Sequence, residues 1–104
     1  MIRSFRHRGL KRFYERDERG AVRPDLVGRI ETILLRLDIS ERIEDMDMHS
    51  FRLHPLKGNL RGFRSVTINA NWRITFRIED GDVFDVELEP VSSGLKRTEK
   101  DLSP

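Results

Sequence analysis

Residues 63–88 read Phe63-Arg-Ser-Val-Thr-Ile-Asn-Ala-Asn-Trp-Arg-Ile-Thr-Phe-Arg-Ile-Glu-Asp-Gly-Asp-Val-Phe-Asp-Val-Glu-Leu88 and decide the fold. Successive side chains of a strand point to opposite sides. Trp72, Ile74, Phe76 and Ile78 therefore share one face of an extended chain, and Asn71, Arg73, Thr75 and Arg77 share the other. Phe63 to Ile68 reads as the preceding strand, with Asn69-Ala70 as a tight turn between them. Asp80-Gly81 is a two-residue hairpin signal. Val83 to Leu88 reads as a third strand, with Phe84, Val86 and Leu88 on the apolar side and Asp85 and Glu87 on the polar side. The segment is a three-stranded antiparallel meander whose apolar face needs a cover.

The cover lies upstream. Pro24 suits a first helical position, and Asp25 suits the positive end of a helix dipole. Leu26, Ile30, Ile33, Leu34 and Leu37 then repeat at the helical period, which predicts an amphipathic helix over 24–38. A shorter helix, His7 to Arg16, turns Leu10, Phe13 and Tyr14 to one side and Arg8, Lys11, Arg12 and Arg16 to the other, with Gly20 as its stop signal. Met1 to Phe5 alternates apolar and polar residues and reads as a short edge strand. Ser40 to Ser50 is a polar connection with at most one helical turn. The fold class is α+β: a short N-terminal strand, two helices, and a small antiparallel sheet covered on one face by the helices. The domain spans 1–89. A polar tail spans 90–104, where Leu95 to Leu102 is either a short helix or a frayed end.

A chain of 104 residues is one domain by size. Charged residues make up 37%, yet the net charge is only +2, so self-repulsion does not keep the chain unfolded. The signs are unevenly spread. Residues 1–23 carry eight Arg or Lys against three acids, a net of +5, while residues 79–89 carry six acids and no base. Residues 52–77 carry Arg52, Lys57, Arg61, Arg64, Arg73 and Arg77 with no acid. A fold that joins the basic blocks makes a cationic face; a salt-bridged, solvated surface uses the same residues. The absence of cysteine excludes disulfides and thiolate-bound zinc, and fits a reducing cytoplasm. His7, His49 and His54 lack metal-ligand spacing, so neither metal nor other cofactor is expected. No phosphate loop or nucleophile elbow occurs. No window is apolar enough to span a membrane, and Arg3, Arg6 and Arg8 are not followed by the apolar run of a signal peptide.

His54 precedes Pro55, which holds it extended. Lys57 and Arg73 nearby would disfavour its charged form and leave a neutral base. Such a base suits abstraction of a ribose 2′-OH proton while cations hold the scissile phosphate. The spacing is also met by a surface histidine at a strand entry. Arg73 and Arg77 project from the polar face of the central strand, joined by Arg64 if the register allows. Such a row suits phosphate, and it suits pairing with Asp85 and Glu87 on the next strand. Trp72 alternates with Arg73 and belongs to the core side rather than to a base-stacking platform.

His54-Pro-Leu-Lys57-Gly58, then Gly62, Ala70-Asn71-Trp72-Arg73-Ile74-Thr75-Phe76 and Gly81-Asp82, resemble the HigB branch of the RelE toxins, the plasmid-maintenance killer proteins. Ile2-Arg3-Ser4-Phe5 and His7-Arg8-Gly9-Leu10 resemble the opening of that family. The resemblance covers residues 1–89. It implies a RelE-like fold and metal-free, ribosome-dependent cleavage of mRNA in the A site, which inhibits translation. It implies a cognate helix-turn-helix antitoxin, with operator DNA bound through the toxin–antitoxin complex, and no membrane partner. It implies His54 in catalysis and Lys57 and Arg73 in a cationic pocket on the mRNA. Arg61, Arg64 and Asn71 complete the candidate RNA- and phosphate-binding set. The chain departs from the family at the end of the last strand, where Asp-Tyr-His is usual and Pro90-Val91-Ser92 follows Glu89. Three readings follow: an endoribonuclease, weakened by that loss; an inactive homologue that keeps antitoxin binding and operon autoregulation; and a basic RNA- or ribosome-binding module unrelated to toxicity.

Overall fold

The computed structural model describes residues 1–91. Two helices, α1 (Arg8–Arg16) and α2 (Val27–Ile39), precede a four-stranded antiparallel sheet. Its strands lie in sequence order: β1 (His54–Pro55), β2 (Arg64–Thr67), β3 (Trp72–Glu79) and β4 (Asp82–Pro90). Leu10 and Phe13 of α1 and Ile30, Ile33, Leu34 and Leu37 of α2 pack in one core with Val66, Ile74, Phe76, Val83 and Val86 of the sheet. The helices thus cover one sheet face, as the periodicity requires. The expected three-stranded meander gains a fourth strand, β1, whose two residues are too few to show an alternation.

The helix ends follow local chemistry. The His7 side chain caps α1 by accepting the Leu10 N–H at 3.0 Å. α1 stops at Asp17, before the expected Gly20, because Asp17 takes a left-handed conformation (φ 55°). The Asp17 and Glu18 N–H groups then bond back to the Phe13 and Arg12 carbonyls. Gly9 lets this helix approach the next connection, since a Cβ there would lie 2.6 Å from that of Ala21. Pro24–Leu26 forms a 3-10 turn, and the α-helix proper begins at Val27. The 40–50 connection holds more structure than one turn: 3-10 turns at Ile43–Met46 and His49–Phe51 carry Met46 and Phe51 into the core. Arg29 fastens α2 to this layer, donating to the carbonyls of Ser50 and Thr67 and lying over the Phe51 ring.

The N-terminal segment runs parallel to β4 along its outer edge. It makes isolated bridges, Ile2 to Val83 and Phe5 to Val86, rather than a continuous strand. Pairing of β3 with β4 slips by one residue: Thr75 faces Glu87, whereas Arg77 faces Phe84. Phe76 is therefore spanned by both Asp85 and Val86, a β-bulge with Asp85 in the left-handed region (φ 58°). The bulge reverses the expected facing of half of β4. Val83 enters the core, fully buried, while Phe84 turns outward beneath the Arg77 guanidinium. Leu88 and Val86 keep the expected side and pack on the core. At the Asp80-Gly81 hairpin both residues have positive φ (53° and 84°), the geometry that matches strand twist. Pro90 is the last residue of β4, opposite Trp72, and the Val91 N–H donates to the Asn71 carbonyl. The expected helix or frayed end at Leu95 to Leu102 lies outside the described residues.

Asp38 on α2 ties three elements together. Its carboxylate accepts the Tyr14 hydroxyl from α1 and the Ile2 N–H from the N-terminal segment. Burial first, then the hydrogen bond and charge of Asp38, push the Tyr14 phenol up from 10.0 to about 12. A pKa raised in the folded state gives stability that is complete below pH 10 and is lost as pH rises toward 12. Tyr14 is the only tyrosine, so phenolate absorbance reports it alone. The expected midpoint is near 12, moving back toward 10.0 in Asp38→Asn. A wild-type midpoint at the ordinary tyrosine value would contradict this clasp.

Candidate functional site

The sheet face turned away from the helices is built by register. His54 pairs with Ser65, Ser65 with Thr75, and Thr75 with Glu87. Directly opposed residues of an antiparallel sheet point to the same side. Val66 and Ile74 point into the core, so this row points outward. The neighbouring row runs Thr67, Arg73, Glu89. His54, Arg73 and Glu87 therefore share one face, and the structure brings them to adjacent rows. Arg64 pairs with Phe76 and falls on the alternate side; its guanidinium donates to the Phe63 carbonyl. The register thus does not allow Arg64 to join Arg73 and Arg77. Trp72 takes the side opposite Arg73 and packs against the core while half-buried.

Most of the charge on this face is paired. Arg73 holds Glu89 with two N–H groups, Nε at 2.8 Å and Nη2 to the same oxygen. The two side chains are 15% and 24% exposed, a partly buried pair. Arg77 reaches Asp85 at 2.9 Å and Glu79 at 2.6 Å. The hydrogen bonds it donates to Glu79 and then Asp85 raise its pKa, so it stays charged. Arg6 approaches the other oxygen of Asp85 at 3.9 Å and lies over the Phe63 ring. The expected partners of the arginine row, Asp85 and Glu87, are thus half met: Asp85 takes Arg77, and Glu89 takes Arg73 in place of Glu87.

The β1–β2 connection supplies unpaired cations. Lys57 precedes a 3-10 turn at Gly58–Leu60 and Arg61 follows it, both exposed. Neither side chain has an acidic partner among the described residues, and His54 is exposed without one. Asn71 is exposed at the entry to β3, where the Asn69 side chain accepts the N–H groups of Asn71 and Trp72. A surface cleft of about 520 Å³, lined by Arg52, Thr67, Asn69, Ala70 and Val91, opens at this end of the face. Among the described residues, no group of three His, Asp or Glu side chains is placed to hold a metal ion. No helix among them is long and apolar enough to cross a membrane. Residue type alone did not single out Arg6, Glu87 or Glu89, because only the register shows what each one faces.

The model of the HigB-like toxin family, RelE-like toxins of type II toxin-antitoxin systems, matches residues 3–91. The chain is 39% identical to Endoribonuclease HigB of Proteus vulgaris over 89 residues, covering 86% of this chain and 97% of that protein. It is 32% identical to Toxin HigB-1 of Vibrio cholerae, with the same coverage. Among solved structures, a YafQ variant from E. coli superposes with a TM-score of 0.58 at 12% identity, over 89% of this chain and 97% of that one. The YoeB-YefM complex from Staphylococcus aureus gives 0.57 at 18% identity, over 86% and 95%. These likenesses show the fold as RelE-like.

Glu89 sets what Arg73 can bind. Releasing Arg73 by Glu89→Gln removes a pair worth about 1 kcal/mol, or about fivefold in affinity for an anion that uses the same guanidinium. Anisotropy titration with a single-stranded oligoribonucleotide should show tighter binding, with a salt slope steeper by about 0.7 for the added phosphate contact. Unchanged affinity and slope would mean that Arg73 does not contact phosphate.

Proposed function

We propose that this chain, which belongs to the HigB-like family of RelE-like toxins of type II toxin-antitoxin systems, is a ribosome-dependent endoribonuclease that cleaves mRNA and so blocks translation. The observation that carries this reading is the presence of His54, Lys57 and Arg73 in a chain that matches the family from residue 3 to 91. His54 stands in one row of the open face, Arg73 in the next, and Lys57 three residues beyond His54.

Cleavage by the neighbouring 2′-OH needs no metal if side chains move the protons and hold the phosphate. His54 is the proton-transfer group, because an imidazole ring can both accept and donate a proton. Lys57 and Arg73 stabilise the charge that builds on the phosphoryl oxygens. Arg61 and Asn71 are the further RNA contacts of this reading, whereas Arg64, on the alternate side of β2, is not one. The protein works in the cytoplasm, on translating ribosomes. Its partner is a cognate antitoxin, a reading supported by the solved YoeB-YefM complex, and the family resemblance makes that antitoxin a helix-turn-helix protein. The two proteins together bind operator DNA and repress their own operon.

A second reading has its own support. Arg73 is neutralised by Glu89, and Pro90 and Val91 stand at the end of β4 where the family carries proton-transfer groups. On that reading the chain is an inactive homologue that keeps antitoxin binding and autoregulation.

Expression in bacteria without the antitoxin separates the two. Growth arrest with ribosome-associated mRNA cleavage, lost in His54→Ala, is the outcome for an endoribonuclease. A folded, expressed wild-type chain that leaves growth unchanged would leave the inactive reading. Lys57→Ala combined with Arg73→Ala should weaken ribosome binding and flatten its salt dependence; an unchanged slope would place the cationic contact elsewhere.

A further inference from the structure

The row His54–Ser65–Thr75–Glu87 crosses all four strands on the open face. Ser65 and Thr75 are small and sunken, 7% and 3% exposed, so the larger side chains stand at the two ends. Three inter-strand steps separate the end backbones by about 14 Å. A histidine and a glutamate reach across part of that span, and a ribose with its phosphate fills the rest.

Glu87 differs from every other acid on this face. Glu79 and Asp85 are held by Arg77, Asp82 by Arg3, and Glu89 by Arg73. Glu87 accepts only the Leu88 N–H, at 3.1 Å, and has no cationic partner among the described residues. It is half-buried beside the Arg73–Glu89 row. A paired carboxylate is committed to its arginine, whereas an unpaired one is free to accept a proton.

We propose that Glu87 is the second catalytic residue of the cleavage site, working opposite His54; this rests on the endoribonuclease reading. The register sets this carboxylate on the same surface as His54, at the other end of one row. A carboxylate is a proton acceptor at neutral pH, and an imidazolium is a donor. Glu87 takes the proton from the ribose 2′-OH as the 2′-oxygen forms its bond to phosphorus. The bond from phosphorus to the 5′-oxygen breaks, and the leaving oxygen takes a proton from His54. The products are a 2′,3′-cyclic phosphate and a 5′-hydroxyl. Glu87 and His54 then return to their starting protonation states by exchange with water.

The test is single-turnover cleavage of a short mRNA on programmed ribosomes by the purified full chain, followed across pH. Glu87→Gln should lower the rate by about 10²–10⁴-fold at unchanged ribosome affinity. Its residual rate should vary less with pH on the acid side than the wild-type rate does. Glu87→Asp should retain part of the rate. Glu87→Gln cleaving at the wild-type rate overturns the inference and leaves the endoribonuclease reading standing. Cleavage lost in step with ribosome affinity assigns Glu87 to docking and also overturns it. A wild-type chain that does not cleave overturns the reading, and the inference with it.

Discussion

The bulge at Asp85 is the constraint on which the working face depends. A strand of strict alternation would put Phe84, Val86 and Leu88 on one side. One extra residue lets Val83 and Val86 both enter the core while Glu87 and Glu89 stay on the side of Thr75 and Arg73. The bulge costs about 1 kcal/mol for a left-handed non-glycine residue. Four contacts offset that cost. The Asp85 N–H donates to the Ser4 hydroxyl at 2.8 Å, and the carboxylate meets Arg77 and Arg6. The Val86 N–H donates to the Ser4 carbonyl, so the N-terminal segment closes the same spot. Edge strand, bulge and open face are one cooperative unit.

Electrostatics on that face is an exchange rather than an addition. The arginines of the face already hold carboxylates, which lets a basic chain keep a compact sheet without self-repulsion. An incoming phosphate must replace Glu89 at Arg73, so affinity is the difference between two anions. Lys57 and Arg61 are exposed and have no acidic partner among the described residues, so in the proposed reaction their charge would act on the rate of encounter more than on the final contact. In the proposed reaction the ribosome would hold the strand in place while this exchange at Arg73 occurs.

Some of this was legible in the sequence, for physical reasons. The buried face of α2 followed from Leu26, Ile30, Ile33, Leu34 and Leu37, because a long amphipathic period has few alternatives. The hairpin followed from Asp80-Gly81, which fits positive φ at both positions. The bulge was hidden because its left-handed residue is Asp85 rather than a glycine, and so β4 read as unbroken alternation. Asp17 hid the end of α1 in the same way. The candidate roles of His54, Lys57 and Arg73 came from the family resemblance, since the spacing alone also fits a surface histidine. The partner of Arg73 could not, since without the one-residue bulge Arg73 would face Leu88 rather than Glu89. That same shift leaves Glu87 unpaired.

Incubating the purified chain with an mRNA, alone and on translating ribosomes, and mapping the new RNA ends tests the proposed endoribonuclease most directly. The expected result is cleavage within the ribosomal A-site codon, with the naked mRNA left intact. Equal cleavage of naked mRNA, or intact mRNA on ribosomes that bind the chain, would contradict it.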